Sequence, residues 1–195
     1  MPLHISLSRT LQIKTQDREH FVETLTSSVR KAGVRPFNVQ FTGLKWVPNY
    51  ERNRWFLVLG IKKPPQNELN KLLGACNEAA ERCGHPPLYV GGKGDGPMDD
   101  IISANPAAKR RKRTHEDGQT TLAETHDDRS ENFHVSIAWN LEEPHLEWIN
   151  LVRCMNVGER IESLETPFEV VKARIGNAVN NIHLNPGKHG LDQGR

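Results

Sequence analysis

The sequence lacks any long apolar segment. No apolar run in its 195 residues approaches the roughly 20 residues that a membrane-spanning helix requires. The first residues also lack the basic-then-apolar pattern of a signal peptide. Neither sign of charge dominates, since the formal net charge of +2 permits nucleic-acid binding without indicating it. We therefore expect an intracellular globular protein with no membrane partner.

Cysteine is scarce as well. The three cysteines, Cys76, Cys83 and Cys154, show no C-x-x-C spacing. That number and spacing indicate neither a disulfide framework nor a zinc site. The sequence shows no other cluster of metal-ligating residues, so we expect reduced thiols, no bound metal ion and no cofactor.

Aromatic residues are absent from one long segment, residues 91–132. Glycines and charged residues dominate it, which is typical of a linker or an insertion that contributes nothing to a core. The segment contains the basic cluster "KRRKR", Lys109 to Arg113. Such a cluster is read equally well as a nuclear address, as an electrostatic contact to RNA, or as a solvated run of charges.

The first half of the chain carries clear periodic patterns. An amphipathic helix that ends at Gly33 is predicted by apolar residues at helical spacing: Phe21, Val22, Leu25, Val29 and Ala32. The alternating stretches "FNVQFTGLKW" and "RWFLVLGIK" predict a β-hairpin, and a second helix follows over about residues 67–83.

The second half repeats this order, with a strand at 133–139, a short helix around 146–155, and the strand-like runs "PFEVVKARIGN" and "AVNNIHL". Both halves therefore read β-α-β-β. This repetition predicts a duplicated α+β fold of two lobes. The expected single domain has a first lobe at about 1–90, an insertion at about 91–132, a second lobe at about 133–185 and a tail at about 186–195.

A short motif is repeated too. "LHISLSR" at residues 3–9 returns as "FHVSIAW" at residues 133–139. In a strand, side chains two residues apart share a face, so His4 and Ser6 are predicted on one face of the first strand, and His134 and Ser136 on one face of the second. The opposite faces are then apolar, with Leu3, Ile5 and Leu7 in the first strand and Phe133, Val135, Ile137 and Trp139 in the second.

Two histidines and two serines suit RNA cleavage by transesterification. A neutral histidine can remove the proton of a ribose 2′-hydroxyl, and a protonated one can donate a proton to the departing 5′-oxygen. Each proton transfer is typically worth about 10²- to 10⁴-fold in rate. The serine hydroxyls can donate hydrogen bonds to the non-bridging phosphate oxygens in the transition state.

One histidine on a strand is more often a hydrogen-bonded sheet residue than a catalyst, but two copies in matching apolar frames favour catalysis. The remaining histidines lack that frame and are expected at the surface or in loops: His20, His85, His115, His126, His145, His183 and His189.

The paired motifs resemble those of the 2H phosphoesterase superfamily, which is named for two H-x-[ST] motifs facing each other across a cleft. "PLHISLSR" and "NFHVSIAW" are most similar to the U6 small nuclear RNA phosphodiesterase branch, which uses serine where many relatives use threonine. "NYERNRWFLVLGI" also resembles its N-x-E-x-x-R-x-F pattern, and "VKARIGNAV" its pattern of a basic residue shortly before Gly-Asn.

This resemblance implies an activity and roles for residues. Members of the branch trim the 3′ end of U6 RNA, removing uridines and adenosines one at a time and leaving a 2′,3′-cyclic phosphate that some members open to a monophosphate. By analogy His134 is the base, His4 the acid, and Ser6 and Ser136 bind phosphate oxygens. A tyrosine that stacks on the terminal base in the family has its match in Tyr89, for which packing at a sheet edge is an equal alternative.

The resemblance implies the 2H phosphoesterase fold, with two pseudo-symmetric β-α-β-β lobes whose antiparallel sheets flank a central cleft. It also implies a monomeric nuclear enzyme that binds RNA and needs no cofactor. Two alternatives stay open. One is a 2H enzyme that opens cyclic phosphates on tRNA or small nucleotides. The other is a non-catalytic RNA-binding module, which would not require two proton-transfer groups.

Overall fold

We describe a computed structural model of the chain over residues 3–49, 51–90, 128–155, 157–161 and 163–185. The elements in chain order are α1 (Arg18–Lys31), β1 (Phe37–Pro48), β2 (Trp55–Ile61), α2 (Glu68–Arg82), β3 (His134–Asn140), α3 (Leu146–Cys154), α4 (Gly158–Ile161), β4 (Glu165–Phe168), β5 (Val170–Ile175) and β6 (Ala178–His183). Short 3₁₀ turns precede α1, at Thr15–Asp17, and β3, at Ser130–Asn132. None of the helices described here is long and apolar enough to cross a membrane.

The predicted helices and strands are found close to their expected bounds, except for the first strand, which is not formed at residues 3–9. α1 buries Phe21, Leu25 and Val29, which recur every four residues and so lie on one face. Gly33 adopts a left-handed φ of +64° just after α1, and Gly84 a φ of +76° after α2. Glycine adopts this conformation at little steric cost, so both helices end as the sequence predicts.

The strands form antiparallel sheets, which confirms the predicted α+β class. A four-stranded sheet has the order β3-β2-β1-β4, and β5 and β6 form a separate hairpin. Strands from the second half of the sequence therefore flank the β1–β2 hairpin of the first half on both sides. The sequence places β3 in a second lobe of its own, whereas the structure pairs β3 with β2.

The two faces of the β1–β2 hairpin are distinguished by its register. Trp46 pairs with Leu57 and Lys45 with Val58. Directly opposed residues of antiparallel strands share a face, and neighbouring pairs alternate. Trp46, Trp55 and Leu57 therefore share one face, and residues Ile149 and Val152 of α3 pack against this cluster. Lys45 and Val58 belong to the opposite face, which carries the candidate site.

The larger core lies around α1 and α2. Leu69 and Leu72 of α2 are fully buried, and Phe133, just before β3, is only 1% exposed. Val135 belongs to the same cluster, as do Val171 and Ile182 of the β5–β6 hairpin. β3 is thus held by the core at the end where the second motif begins.

Candidate active site

The two histidine motifs meet through an antiparallel bridge between Ile5 and Val135. Residues 3–9 do not form the full strand that the sequence predicts, because this bridge is their one ladder contact among the described residues. Extending its register by one residue each way sets His4 opposite Ser136, and Ser6 opposite His134. Each histidine therefore lies beside the serine of the other motif.

All four polar side chains share one face of the sheet as a result. His4 and Ser6 are exposed, and His134 and Ser136 are half-buried. Ile5 and Val135 point to the other face, where Val135 is 6% exposed. The structure thus brings together the four motif residues that the sequence predicts. Their catalytic roles stay predictions.

The apolar alternation of the two motifs is only partly observed. Leu7, Phe133 and Val135 are buried, and Ile5 packs against the core. The prediction is wrong for Leu3, Ile137 and Trp139, which are 67%, 43% and 61% exposed. The predicted alternation of burial therefore holds only from Phe133 to Ser136.

A backbone carbonyl fixes the tautomer of His134. Its Nδ1 lies 2.7 Å from the carbonyl oxygen of Asn132. Because a carbonyl oxygen can only accept, Nδ1 carries the hydrogen, and in the neutral ring the lone pair lies on Nε2. The ring is thereby arranged to accept a proton at Nε2.

The surroundings of His134 also keep its ring neutral. Burial lowers the pKa of His134 below its usual value of 6.5, and the positive charges of Lys45 and His4 lower it further. The hydrogen bond to Asn132 acts in the opposite direction and only partly offsets these effects. A base must be unprotonated before it reacts, so a lowered pKa suits His134 to that role near neutral pH.

Lys45 is a site residue that the sequence did not reveal. Its Nζ donates a hydrogen bond to the carbonyl oxygen of Glu131, at 2.8 Å. A Cβ added at Gly60 would overlap the hydroxyl oxygen of Thr42 and lie 3.7 Å from Cε of Lys45. Gly60 pairs with His134 across the strands, so its missing side chain leaves room for Thr42 and Lys45 on the site face. One lysine in a strand-like run gives no signal of this contact.

Tyr89 is placed differently from the expected stacking residue. Its side chain is 8% exposed, and its ring meets Phe133 edge to face with the ring centres 6.2 Å apart. Its hydroxyl donates to the carbonyl oxygen of Asn132 at 3.2 Å. The ring therefore packs in the core from a bend, and not at a sheet edge as the alternative expected. Stacking of Tyr89 on a base stays a prediction that this packing does not support.

The turn that supplies these carbonyl groups is held by Asp128. One carboxylate oxygen of Asp128 accepts hydrogen bonds from Asn70 Nδ2, at 2.9 Å, and from the hydroxyl of Ser130, at 2.6 Å. The other oxygen lies 2.6 Å from Nζ of Lys63. The hydrogen bond from Lys63, followed by those from Ser130, holds the pKa of Asp128 well below its usual range.

This arrangement corrects the predicted end of the insertion. Residues 128–132 belong to the folded domain, since Asp128 and Ser130 bind α2 through Asn70. Polar side chains make these contacts, so the pattern of apolar residues in the sequence gives no sign of them. Residues 91–127, with the basic cluster Lys109 to Arg113, lie outside the described residues.

The two flanking patterns form turns. In the β1–β2 connection, the side-chain oxygen of Asn49 accepts from the backbone N–H groups of Asn53, at 3.0 Å, and Arg54, at 3.1 Å. In the β5–β6 hairpin, Gly176 opens a two-residue turn with φ of +61°, a conformation that favours glycine.

Within the described part of the chain, no group of three or more His, Cys, Asp or Glu side chains could hold a metal ion.

A comparison with known protein families shows the family to which this chain belongs. A family model described as "HVSL: Uncharacterised conserved protein" matches residues 1–183. This chain belongs to the HVSL family. Among curated relatives of the HVSL chain is U6 snRNA phosphodiesterase 1 of Neurospora crassa, 37% identical over 100 residues. That match covers 45% of this chain and 28% of the relative, so it spans less than a third of the relative's length.

Solved structures agree with the fold of this HVSL family member. Kluyveromyces marxianus Usb1 matches with a TM-score of 0.57 at 18% identity, covering 94% of this chain and 75% of that chain. The same protein with uridine monophosphate matches with a TM-score of 0.58 at 16% identity, covering 94% and 76%. At these identities the likeness establishes the fold, which is the 2H phosphoesterase fold that the motif pair predicts.

Proposed function

We propose that this protein is an RNA phosphodiesterase that shortens the 3′ end of U6 small nuclear RNA by 2′-hydroxyl transesterification. The observation that carries the proposal is the bridge between Ile5 and Val135, since its register sets two histidines and two serines on one face. The name of the Neurospora relative and the uridine monophosphate in the Usb1 structure support the choice of substrate. Under this proposal the protein acts in the nucleus, where it processes an RNA that takes part in mRNA splicing.

The proposed reaction needs two proton transfers. Nε2 of His134 removes the proton of the ribose 2′-hydroxyl, and that oxygen attacks the adjacent phosphorus. His4 protonates the departing 5′-oxygen, so the bond from phosphorus to that oxygen breaks as the cyclic phosphate forms. The serine hydroxyls donate to the non-bridging oxygens, where negative charge increases in the transition state.

The 2′-hydroxyl provides the test. An oligouridine RNA with one 2′-deoxy sugar at its penultimate position should bind yet keep its last nucleotide, while the all-ribose RNA is shortened stepwise. Shortening should continue in excess EDTA, because the proposed steps use only proton transfer and hydrogen bonding. Cleavage of the deoxy RNA at the control rate would show that water attacks instead and would overturn the roles of His4 and His134.

The same assay separates the two alternatives. An enzyme that only opens cyclic phosphates would leave oligouridine intact and hydrolyse a uridine 2′,3′-cyclic phosphate. A binding module would retain its function after replacement of both His4 and His134 by alanine. Under the proposal this double variant binds oligouridine but does not shorten it.

A further inference from the structure

A β-bulge changes the face on which Trp139 lies. In the β2–β3 register, Val58 lies opposite Ser136 and Phe56 lies opposite Trp139. Between these two pairs β3 advances by three residues while β2 advances by two. Val58 and Phe56 share a face of β2, and each shares that face with its partner in β3. Trp139 therefore lies on the face of Ser136, which is the site face. Unbroken alternation would set it on the opposite face.

Trp139 is an exposed aromatic surface close to the site. Its side chain is 61% exposed, although tryptophan usually buries most of its surface. At about 3.3 Å per residue, the indole begins within about 10 Å of Ser136 along the strand. That is a short distance for a polymer substrate whose scissile phosphate is bound by Ser136.

A cation accompanies this indole. The guanidinium carbon of Arg54 lies 5.6 Å from the centre of the Trp139 ring. Arg54 is fixed at the start of β2 by the turn in which Asn49 accepts its backbone N–H. An aromatic ring beside a cation is the combination that binds single-stranded nucleic acid, since bases stack on the ring and the cation attracts the phosphate backbone.

We propose that Trp139 and Arg54 form a subsite that binds a second nucleotide of single-stranded RNA, next to the one being cleaved. The indole stacks on the base, and the guanidinium contacts the phosphate backbone. This inference rests on the proposed function, because it assumes that the site face binds RNA. Stacking is tolerant of sequence, so the subsite selects single-stranded RNA over a base-paired end rather than one base over another.

Trp148 supplies a matched control. It is 58% exposed, close to the value for Trp139, but it lies on α3. That helix packs against Trp46 and Trp55 on the face opposite the site. Replacing Trp148 thus removes a similarly exposed indole on the side of the sheet opposite the site.

The experiment measures binding separately from cleavage. The probe is a fluorescent oligouridine with a 2′-deoxy sugar at its penultimate position, titrated with the full chain in EDTA and followed by anisotropy. Trp139→Ala should raise Kd by about 5- to 150-fold, the range that loss of one stacked base gives. Trp139→Phe should restore most of the affinity, and Trp148→Ala should leave Kd unchanged. Arg54→Gln should raise Kd and reduce the dependence of binding on salt.

Each outcome bears on one proposal. Equal affinity of the Trp139→Ala variant and the unmodified protein would overturn the subsite, as would equal losses in the Trp139→Ala and Trp148→Ala variants. Failure of the unmodified protein to shorten all-ribose oligouridine would overturn the proposed function alone, since binding is read independently. Thermal unfolding of each variant shows whether it is folded. If the Trp139→Ala variant is not folded, Arg54→Gln decides the test, since unchanged affinity and unchanged salt dependence in that variant would also overturn the subsite.

Discussion

Tyr89 and His134 donate to the same acceptor, the carbonyl oxygen of Asn132. The hydroxyl oxygen of Tyr89 lies 3.2 Å from it and Nδ1 of His134 lies 2.7 Å from it. The tyrosine and His134 are therefore linked through one shared acceptor, while the tyrosine ring lies in the core. This arrangement predicts that Tyr89 positions His134 and does not bind the substrate.

Tyr89→Phe tests this relationship. The ring is kept, but Asn132 loses one donor and becomes a stronger acceptor for a protonated His134. The pKa of His134 should therefore rise toward its usual value of 6.5, because a hydrogen bond to the charged form favours that form. NMR titration of the His134 ring measures the shift directly.

A contrasting result is expected if Tyr89 stacks on the substrate. Phenylalanine stacks as well as tyrosine, so Tyr89→Phe would then leave both the pKa and the rate against pH unchanged. Only Tyr89→Ala would weaken RNA binding. The two variants together separate a positioning role from a stacking role.

Lys45→Met tests the electrostatic part of the site. The positive charge of Lys45 lowers the pKa of His134, so its removal should raise that pKa. The acid limb of kcat/KM reports the base of the free enzyme, and it should move to higher pH. Activity near pH 6 should fall more than activity near pH 8, where His134 is neutral in both proteins.

Lys71→Met is the control for this change. Lys71 is exposed on α2 and is not among the charges that act on His134. The pH profile of this control should match that of the unmodified protein. An unchanged profile for Lys45→Met would show that the lysine does not act on the base.

Gly60→Ala should disturb the packing of Thr42 and Lys45 on the site face. The new Cβ meets the Thr42 hydroxyl and lies close to the Lys45 side chain. We expect a loss of about 1 kcal/mol in the free energy of unfolding, at the low end of the cost of overpacking. Urea denaturation measures it. Adding Thr42→Ala should recover most of the loss, and strictly additive effects of the two changes would contradict the proposed contact.

Two deletions test where the folded domain resumes. Removing residues 92–126 should leave a protein that unfolds cooperatively and shortens RNA, because that segment has no aromatic residue and few large apolar ones. Removing residues 92–131 also takes away Asp128 and the carbonyl group that binds Lys45. The second deletion should therefore lose activity and unfold at lower urea concentration. Identical behaviour of the two proteins would show that the Asp128 contacts contribute nothing.

Local periodicity made much of this structure predictable. Residues such as Phe21, Leu25 and Val29 mark α1 because a helix returns to the same face every three or four residues. The motif residues followed from alternation over two positions, which holds in β3 from His134 to Ser136. Both signals depend only on neighbouring residues.

What was missed depends on contacts between distant residues. One extra residue at Ile137 reverses the alternation, and nothing in "HVSIAW" marks the bulge. Trp139 was therefore assigned to the wrong face. The pairing of β3 with β2 and the contact of Lys45 with Glu131 join residues that are far apart in sequence, and periodicity carries no information about such pairs.

The bridge between Ile5 and Val135 also determines when the site can form during folding. The bridge closes a loop of 130 residues. Bringing His4 beside Ser136 therefore costs the conformational entropy of closing that loop. Contacts of such long range form slowly compared with helices and hairpins. We therefore expect α1, α2 and the β1–β2 hairpin to form first. His4 should join His134 at the site only afterwards. We therefore expect residues 3–9, which make a single bridge to β3, to detach more readily than the paired strands of the sheet, and their detachment would separate His4 from His134.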